Sequence, residues 1–273
     1  MNDHPLVSII TPSFNQVDYL ERTILSVIEQ DYANVEYIII DGGSTDGSLE
    51  VIRRYEGKIT SWISEPDLGQ TDAINKGFNL ASGEIIAWLN SDDTYLPGAI
   101  REAVNFFDMH PEVGMMYGAA YYIDEDDKIL AAYPSAPTDY EGLRRGRTTI
   151  SQQSMFFRRV IWSMVGPLDP TFYYAMDYDL WVRIASVTPI SYHPLPLANF
   201  RLQSASKSLQ EADRCWPEMM RVHFRDGGGI FSIFYAKYLL RKILEPIYFP
   251  IRLSFRKWSY ARDVERQGGT ADP

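Results

Sequence analysis

The stretch Ile85-Ile86-Ala87-Trp88-Leu89-Asn90-Ser91-Asp92-Asp93 decides how the chain is read. It begins as a continuous apolar run and ends in two adjacent carboxylates. An apolar run of this length reads as a strand buried on both faces, as in parallel sheets. In open α/β sheets, ligands bind beyond the carboxyl ends of the strands. Two acids at such an end repel each other unless something positive joins them, and a divalent cation with oxygen ligands is the usual partner. A local reading competes: Ser91-Asp92-Asp93 ahead of Pro97 can also cap the next helix.

Toward the N-terminus the same pattern recurs. Leu6 to Ile10 is apolar and runs into Thr11-Pro12-Ser13; Val35 to Ile40 runs into Asp41-Gly42-Gly43-Ser44; Ile59 to Ser64 runs into Glu65-Pro66-Asp67. Helical spacing fills the intervals. Leu20, Ile24, Val27 and Ile28 share one face of a helix with Asp18 as N-cap, and Ser48–Tyr55 and Gln70–Ala81 follow. Strand and helix therefore alternate four times in residues 1–95, the pattern of a doubly wound, mostly parallel sheet. Polar residues gather at all four strand ends: Thr11 and Asn15, Asp41, Glu65 and Asp67, Asp92 and Asp93. Four such ends on one sheet edge predict a ligand site.

Toward the C-terminus, a helix is expected from Pro97 to His110. Gly114–Ile123 and Lys128–Tyr133 read as a hairpin around Asp124-Glu125-Asp126-Asp127. Residues 134–150, with Arg144, Arg145 and Arg147, read as a mobile loop. Ser151–Phe157 reads as a strand, and Arg158–Val165 and Asp177–Ser186 as helices. Ile190–Arg201 reads as extended but broken by Pro194 and Pro196.

Composition narrows the classes of function. A chain of 273 residues with 45% hydrophobic residues holds one large domain, with or without an appendage. A net charge of −10 argues against nucleic acid as the partner. It accommodates an acidic site that holds a metal and, through it, a phosphorylated ligand. The single cysteine, Cys215, excludes an intrachain disulfide and fits a reducing, cytoplasmic setting. The N-terminus lacks signal-peptide features, and no window reaches the roughly 18 apolar residues of a membrane span. The four histidines show no metal-ligand spacing, and neither a dinucleotide fingerprint nor a phosphate loop follows a strand.

The charge is unevenly spread. Residues 230–262 carry seven basic residues and one acid, Glu245, a net +6 that leaves −16 on the rest. Phe231, Phe234, Tyr235, Tyr238, Leu239, Ile243 and Leu244 fall on one side of a helix there. Apolar faces with Lys and Arg beside them suit helices lying on a membrane surface; packing on the body or on a second copy is the alternative.

Taken in order, several motifs resemble family 2 glycosyltransferases. They are Val7-Ser8-Ile9-Ile10-Thr11-Pro12-Ser13-Phe14-Asn15, Ile40-Asp41-Gly42-Gly43-Ser44-Thr45-Asp46-Gly47, Asp67-Leu68-Gly69-Gln70-Thr71-Asp72-Ala73-Ile74-Asn75-Lys76-Gly77, Leu89-Asn90-Ser91-Asp92-Asp93 and Met176-Asp177-Tyr178-Asp179-Leu180-Trp181. The resemblance covers roughly residues 5–210, and ordered motifs are far more specific than any one alone. It implies an α/β GT-A nucleotide-sugar-binding fold: a mixed, mostly parallel central sheet flanked by helices, with a C-terminal helical extension. The implied organisation is a catalytic domain over 1–210, with a nucleotide-binding half at 1–95 and an acceptor half at 96–210. Residues 211–273 would form a helical, basic, amphipathic extension.

The resemblance also assigns roles. Thr11, Pro12, Asn15, Asp41, Gln70, Asp72, Lys76, Ser91 and Asp92 would bind the nucleotide, with Asp41 accepting from the base and Lys76 near phosphate. Asp41 is equally a turn residue before Gly42-Gly43, and Asp72 with Lys76 is equally an ion pair on one helix face. Asp92 and Asp93 would hold Mn²⁺ or Mg²⁺ on the diphosphate. Asp177 would be the general base of an inverting transfer, with Asp179 as competitor and a helix N-cap as its structural alternative.

The chain departs from the family pattern at three places. Asn90 stands where the first acid of the metal motif is expected, Met176 where the acidic neighbour of the base is expected, and Gln203 where many relatives have a His. The expected activity is transfer of a sugar from a UDP, GDP or dTDP donor to a glycan or lipid-linked acceptor in cell-surface polysaccharide or glycolipid synthesis. The expected location is cytoplasmic, peripheral on the cytoplasmic face of the inner membrane. The alternative is a non-catalytic nucleotide-sugar-binding or scaffold protein.

Overall fold

A computed structural model describes residues 4–203 and 214–244. In chain order the elements are β1 (Val7–Ser13), α1 (Val17–Ile28), β2 (Val35–Asp41), α2 (Ser48–Arg54), β3 (Ser61–Ser64), α3 (Gln70–Leu80) and β4 (Ile85–Trp88). Then come β5 (Thr94–Tyr95), α4 (Ala99–Met109), β6 (Met115–Ile123), β7 (Ile129–Ala132), α5 (Tyr140–Arg144), β8 (Met155–Arg158) and α6 (Arg159–Val165). The last are α7 (Met176–Val187), β9 (Ile190–Arg201) and α8 (Cys215–Arg225). Residues 233–244 are also helical. The chain divides into two compact units, Met1–Val222 and His223–Pro273.

One mixed sheet runs β3-β2-β1-β4-β8-β6-β9-β5, with β7 on β6. Its first four strands are parallel, as their continuous apolar runs predict. β8 reverses direction against β4, and β6 reverses again, with β9 parallel to it. The sheet is thus the expected α/β plan, with the parallel part carrying the polar strand ends. Residues of β1, β2 and β4 are buried because helices cover both faces of the sheet. One face packs Ile24 of α1 and Phe107 of α4 with Ile9, Ile39, Met116 and Phe156. On the other, Phe78 of α3 meets Trp88, Phe157 and Trp162 at centroid distances of 5.9, 5.5 and 4.7 Å. Gly77 lets α3 approach the sheet: a Cβ there would lie 2.4 Å from Cγ2 of Ile10.

Four local expectations change. Asp18 lies inside α1, whose N-cap is Gln16. Asp92 and Asp93 cap no helix: β5 intervenes, and α4 starts after Gly98, whose φ of +83° suits glycine. Pro194 and Pro196 do not end β9; its register against β6 shifts at Gly118/Ala119 and Ala119/Ala120 instead, so the prolines sit where the ladder is irregular. Residues 134–150 are pinned rather than loose. Tyr117 Oη donates to Ala136 O and accepts from Thr138 N, both at 2.9 Å. Tyr178 Oη donates to Leu143 O at 2.7 Å, and Asp139 caps α5 through Gly142 N.

Candidate active site

The parallel strands deliver their polar ends to one edge. At the end of β2, Asp41 is fully buried and builds the turn that follows. Its Oδ2 accepts from Gly43 N at 3.0 Å, Ser44 N at 2.9 Å and Ser64 Oγ at 2.7 Å, and its Oδ1 accepts from Ser44 Oγ at 2.5 Å. The turn presses on the end of β3: a Cβ on Gly42 would lie 2.8 Å from Asp67 Oδ2. Asn15, at φ +51°, ties the end of β1 to this turn through Thr45 N and Ser44 Oγ. Pro12 and Ser91 are buried beside these ends.

Two nucleotide-binding expectations meet a different geometry. Thr11 is wholly buried and its hydroxyl pairs with Tyr37 Oη at 3.1 Å across the β1–β2 pair. Its side chain therefore serves the core rather than the strand edge. Lys76 Nζ bridges Glu65 at 2.9 Å and Asp72 at 3.2 Å, the ion pairing that its helical spacing equally allowed. Asp72 also accepts from Leu68 N, which closes the turn into α3.

The acid pair divides into two environments. Asp93 is 1% exposed. Its Oδ1 accepts from Arg201 N at 3.0 Å and its Oδ2 from Asn90 Nδ2 at 3.3 Å. Asp92 is half-buried, and its Oδ2 accepts from Gln203 Nε2 at 2.6 Å. Gln203, in the place of the expected His, thus reaches Asp92 from beyond the end of β9. Arg201 is buried beneath both. It donates Nε to Asp92 O at 2.8 Å and Nη1 to Asp124 O at 2.7 Å, and it pairs with Asp127.

Burial raises the Asp92 carboxyl above the ordinary Asp range. Burial and then the Asp92 charge raise Asp93 well above it. Arg201 offsets this only in part, since it is shared with Asp127 and with backbone carbonyls. A cation held by a carboxylate and by phosphate oxygens fits that donor set. Among the described residues, no group of three or more His, Cys, Asp and Glu converges as a metal set.

Asn90, in place of an acid, is the hub of an amide chain. Its Oδ1 accepts from Gln70 Nε2 at 2.7 Å, and its Nδ2 donates to Gln152 Oε1 at 3.1 Å; Gln152 in turn donates to Trp88 O at 2.9 Å. Next to Gln70, Thr71 Oγ1 donates to the Met176 sulfur at 2.9 Å. Position 176 faces the start of α3 and is buried, which accounts for a thioether where an acid was expected. Two consecutive residues of α3 therefore touch the neighbour of Asp177 and the amide hub beside the acid pair.

Asp177 is the second residue of α7, whose N-cap is Ala175, so it is not the cap itself. Its Oδ1 accepts from Tyr178 N at 2.7 Å. Burial pushes its carboxyl up to about 6, and the charge of Glu218 adds to the effect. Asp179 is fully buried and paired with Arg183 at 2.8 Å, inside the molecule. The Tyr133 phenol is raised by burial and then by Tyr122, Asp177 and Asp93, so one ring senses both acidic centres.

Sequence reasoning missed Gln152, Thr71, Arg201 and Glu218 in this region. Thr71 lay inside the Asp67–Gly77 motif and Arg201 two residues before Gln203, whereas Gln152 and Glu218 carried no local signal.

Comparison with known proteins bears on the same residues. The model of "Glycosyl transferase family 2" matches residues 8–164. An uncharacterized glycosyltransferase of Mycobacterium tuberculosis is 32% identical over 189 residues, 68% of this chain and 71% of that protein. One of Rickettsia typhi is 26% identical over 80% of this chain and 72% of its own length. Among solved structures, S. aureus TarS 1-349 in complex with UDP-GlcNAc superposes with a TM-score of 0.67 at 15% identity, over 95% of this chain and 79% of the 1-349 chain. The mannosyltransferase PcManGT of Pyrobaculum calidifontis, in complex with GDP-Man and Mn²⁺, gives 0.64 at 18% identity, over 100% and 77%. These structures share the fold. With a family match over more than half the chain, and the motif residues gathered at one sheet edge, the chain belongs to glycosyl transferase family 2.

Proposed function

We propose that the protein transfers a sugar from a nucleotide-sugar donor to a hydroxyl of a glycan or lipid-linked acceptor, with inversion and with Asp177 as general base. The observation that carries this reading is the start of α3, where Gln70 touches Asn90 and Thr71 touches Met176. It ties the segment before the acid pair to the neighbour of Asp177, which supports reading the two as parts of one site.

The chemistry then follows from the side chains. An alcohol is a poor nucleophile until a carboxylate takes its proton. Asp177, at about 6, is ionised at neutral pH yet basic enough to accept that proton. The turn built by Asp41 and the segment through Gln70 and Ser91 hold the nucleotide. Asp92, with Asp93 behind it and Gln203 beside it, would hold Mn²⁺ or Mg²⁺. When bound, such a cation offsets the negative charge that grows on the departing diphosphate. Asp93 and Arg201 keep Asp92 in position. TarS bound to UDP-GlcNAc and PcManGT bound to GDP-Man and Mn²⁺ support a UDP or GDP sugar here.

The second part of the reading concerns location. Ile230, Phe231, Ile233, Leu240 and Ile243 are exposed, with Lys237, Arg241 and Lys242 among them. Phe234 turns inward instead, its ring 5.2 Å from His223, so the apolar face differs from the one its sequence spacing predicted. An exposed apolar face with basic neighbours supports attachment to an anionic membrane on the cytoplasmic side, close to a lipid-linked acceptor. The rest of the basic segment, 245–262, lies outside the described residues. No helix among the described residues is long and apolar enough to cross a membrane.

The test is a thermal-shift screen of UDP, GDP and dTDP sugars with and without Mn²⁺. Stabilisation by one nucleotide class, strengthened by Mn²⁺, is expected. Stabilisation by none of them would overturn the reading.

A further inference from the structure

Glu218 lies on α8 and has no place in any motif of the sequence. Its Oε1 accepts from Tyr173 N at 3.1 Å, and its Oε2 accepts from Tyr174 N and Ala175 N, both at 2.8 Å. These three residues are the last before α7 and its Asp177. Successive backbone N–H groups in the turn that leads into a helix need acceptors, and a carboxylate facing them is held by charge-assisted bonds. The carboxylate comes from 43 residues further along the chain, so it fixes the turn from outside. Arg221, one turn on, adds a second tie, with Nη1 and Nη2 donating to Thr171 O and Oγ1 at 3.0 and 2.8 Å.

We propose that Glu218 is a positioning residue for the base: by gripping the turn 173–175 it sets where α7 begins and so where Asp177 stands. This rests on the reading of Asp177 as the base. The charged surroundings leave Glu218 as the main partner able to act on that carboxylate. On its own helix, Asp179 and Arg183 are paired with each other. On α5, which packs against α7, Glu141 is paired with Arg144 at 3.0 Å and lies 3.8 Å from Arg145. On α6, Arg159 donates to Gly83 O. Tyr133, after β7, is a neutral phenol held above its ordinary range. The like charge of Glu218 therefore acts together with burial on Asp177. One residue both locates the base and tunes it.

The experiment compares the full chain with Glu218→Gln, Glu218→Ala and Asp177→Asn. Carboxyl NMR titration, with the Asp177 signal assigned by its loss in Asp177→Asn, reads the base directly and needs no substrate. In Glu218→Gln the Asp177 titration is expected to move down from about 6 while staying above the ordinary Asp range, because burial is the larger cause. Amide exchange at Tyr174 and Ala175 is expected to quicken in Glu218→Ala by about tenfold or more. Release of UDP from UDP-GlcNAc, or of GDP from GDP-mannose, is expected to slow in Glu218→Ala while UDP or GDP affinity stays within about twofold. Glu218→Gln keeps an acceptor oxygen and is expected to rescue most of that rate. An unchanged Asp177 titration in Glu218→Gln, or unchanged exchange at 174 and 175 in Glu218→Ala, overturns the proposal. Turnover that survives in Asp177→Asn would instead remove the base assignment on which it rests.

Discussion

Replacing Asp177 by Asn should do two opposite things, and the structure sets the size of one of them. The ordinary Asp carboxyl titrates at 3.8, whereas burial holds that of Asp177 at about 6. The folded protein therefore binds this proton more tightly than the unfolded chain does. The stability tied to it is complete below about pH 4 and lost as pH rises through 6. Above that, ionised Asp177 costs about 3 kcal/mol, at about 1.4 kcal/mol per unit, as an upper value for a side chain partly open to water. Asn carries no charge, and its Oδ1 still accepts from Tyr178 N, the bond that Asp177 makes at 2.7 Å. Urea unfolding should thus find Asp177→Asn more stable than the parent by up to about 3 kcal/mol at pH 8, and by about half that at pH 5. Turnover should collapse in the same variant while nucleotide binding survives. The combination is the signature of a group whose placement serves chemistry at the expense of stability. Equal stability of the two proteins at pH 8, or a gap that does not change with pH, would refute the reasoning.

Gln203→His should strengthen the Mn²⁺ dependence of nucleotide-induced thermal shifts, because imidazole is a better ligand than an amide and position 203 already meets Asp92 at 2.6 Å; an unchanged dependence argues against a cation at Asp92. Arg201→Ala should cost about 3 kcal/mol or more in urea unfolding, since it strips buried Asp93 of its nearest cation and leaves the carbonyls of Asp92 and Asp124 without their donor. A loss under about 1 kcal/mol would mean that Asp93 does not need the guanidinium. The full chain should sediment with phosphatidylserine-rich vesicles at low salt and come off as salt rises. Failure to sediment, or binding equal to that on neutral vesicles, removes the membrane reading of residues 230–262.

The parallel half was legible because its information is local. Each strand there is a continuous apolar run that stops at a polar residue, and each helix repeats with its own period. The acid pair was legible as a site, but not the difference between its members. Asp93 turns inward because Arg201 N and Asn90 wait for it, and Arg201 lies 108 residues away. β5 escaped notice for the same reason: Thr94 and Tyr95 form a strand only because Asn199 and Ala198 pair with them. The prolines of β9 misled because the rule against proline in strands holds for regular ladders, and this ladder slips beside them. Glu218 left no trace, since an acid in an amphipathic helix looks the same whether it faces water or a distant turn.

Arg201 has a further consequence, for the order in which the protein can become competent. The family match ends at residue 164 and already contains Asp92 and Asp93. It lacks the guanidinium beneath them and the amide of Gln203, 111 residues beyond Asp92. The tip of the β6–β7 hairpin is likewise held from both directions, with Asp127 bound by Arg22 of α1 and by Arg201 of β9. A nascent or truncated chain that stops before β9 would leave buried Asp93, next to half-buried Asp92, without the Arg201 guanidinium, and would hold the hairpin tip through Arg22 alone. Contacts of such sequence separation form late, since the loop must close before they reward it. The edge that carries the acid pair is therefore finished only by β9, and the first half is not a module that could be cut out and expected to bind on its own.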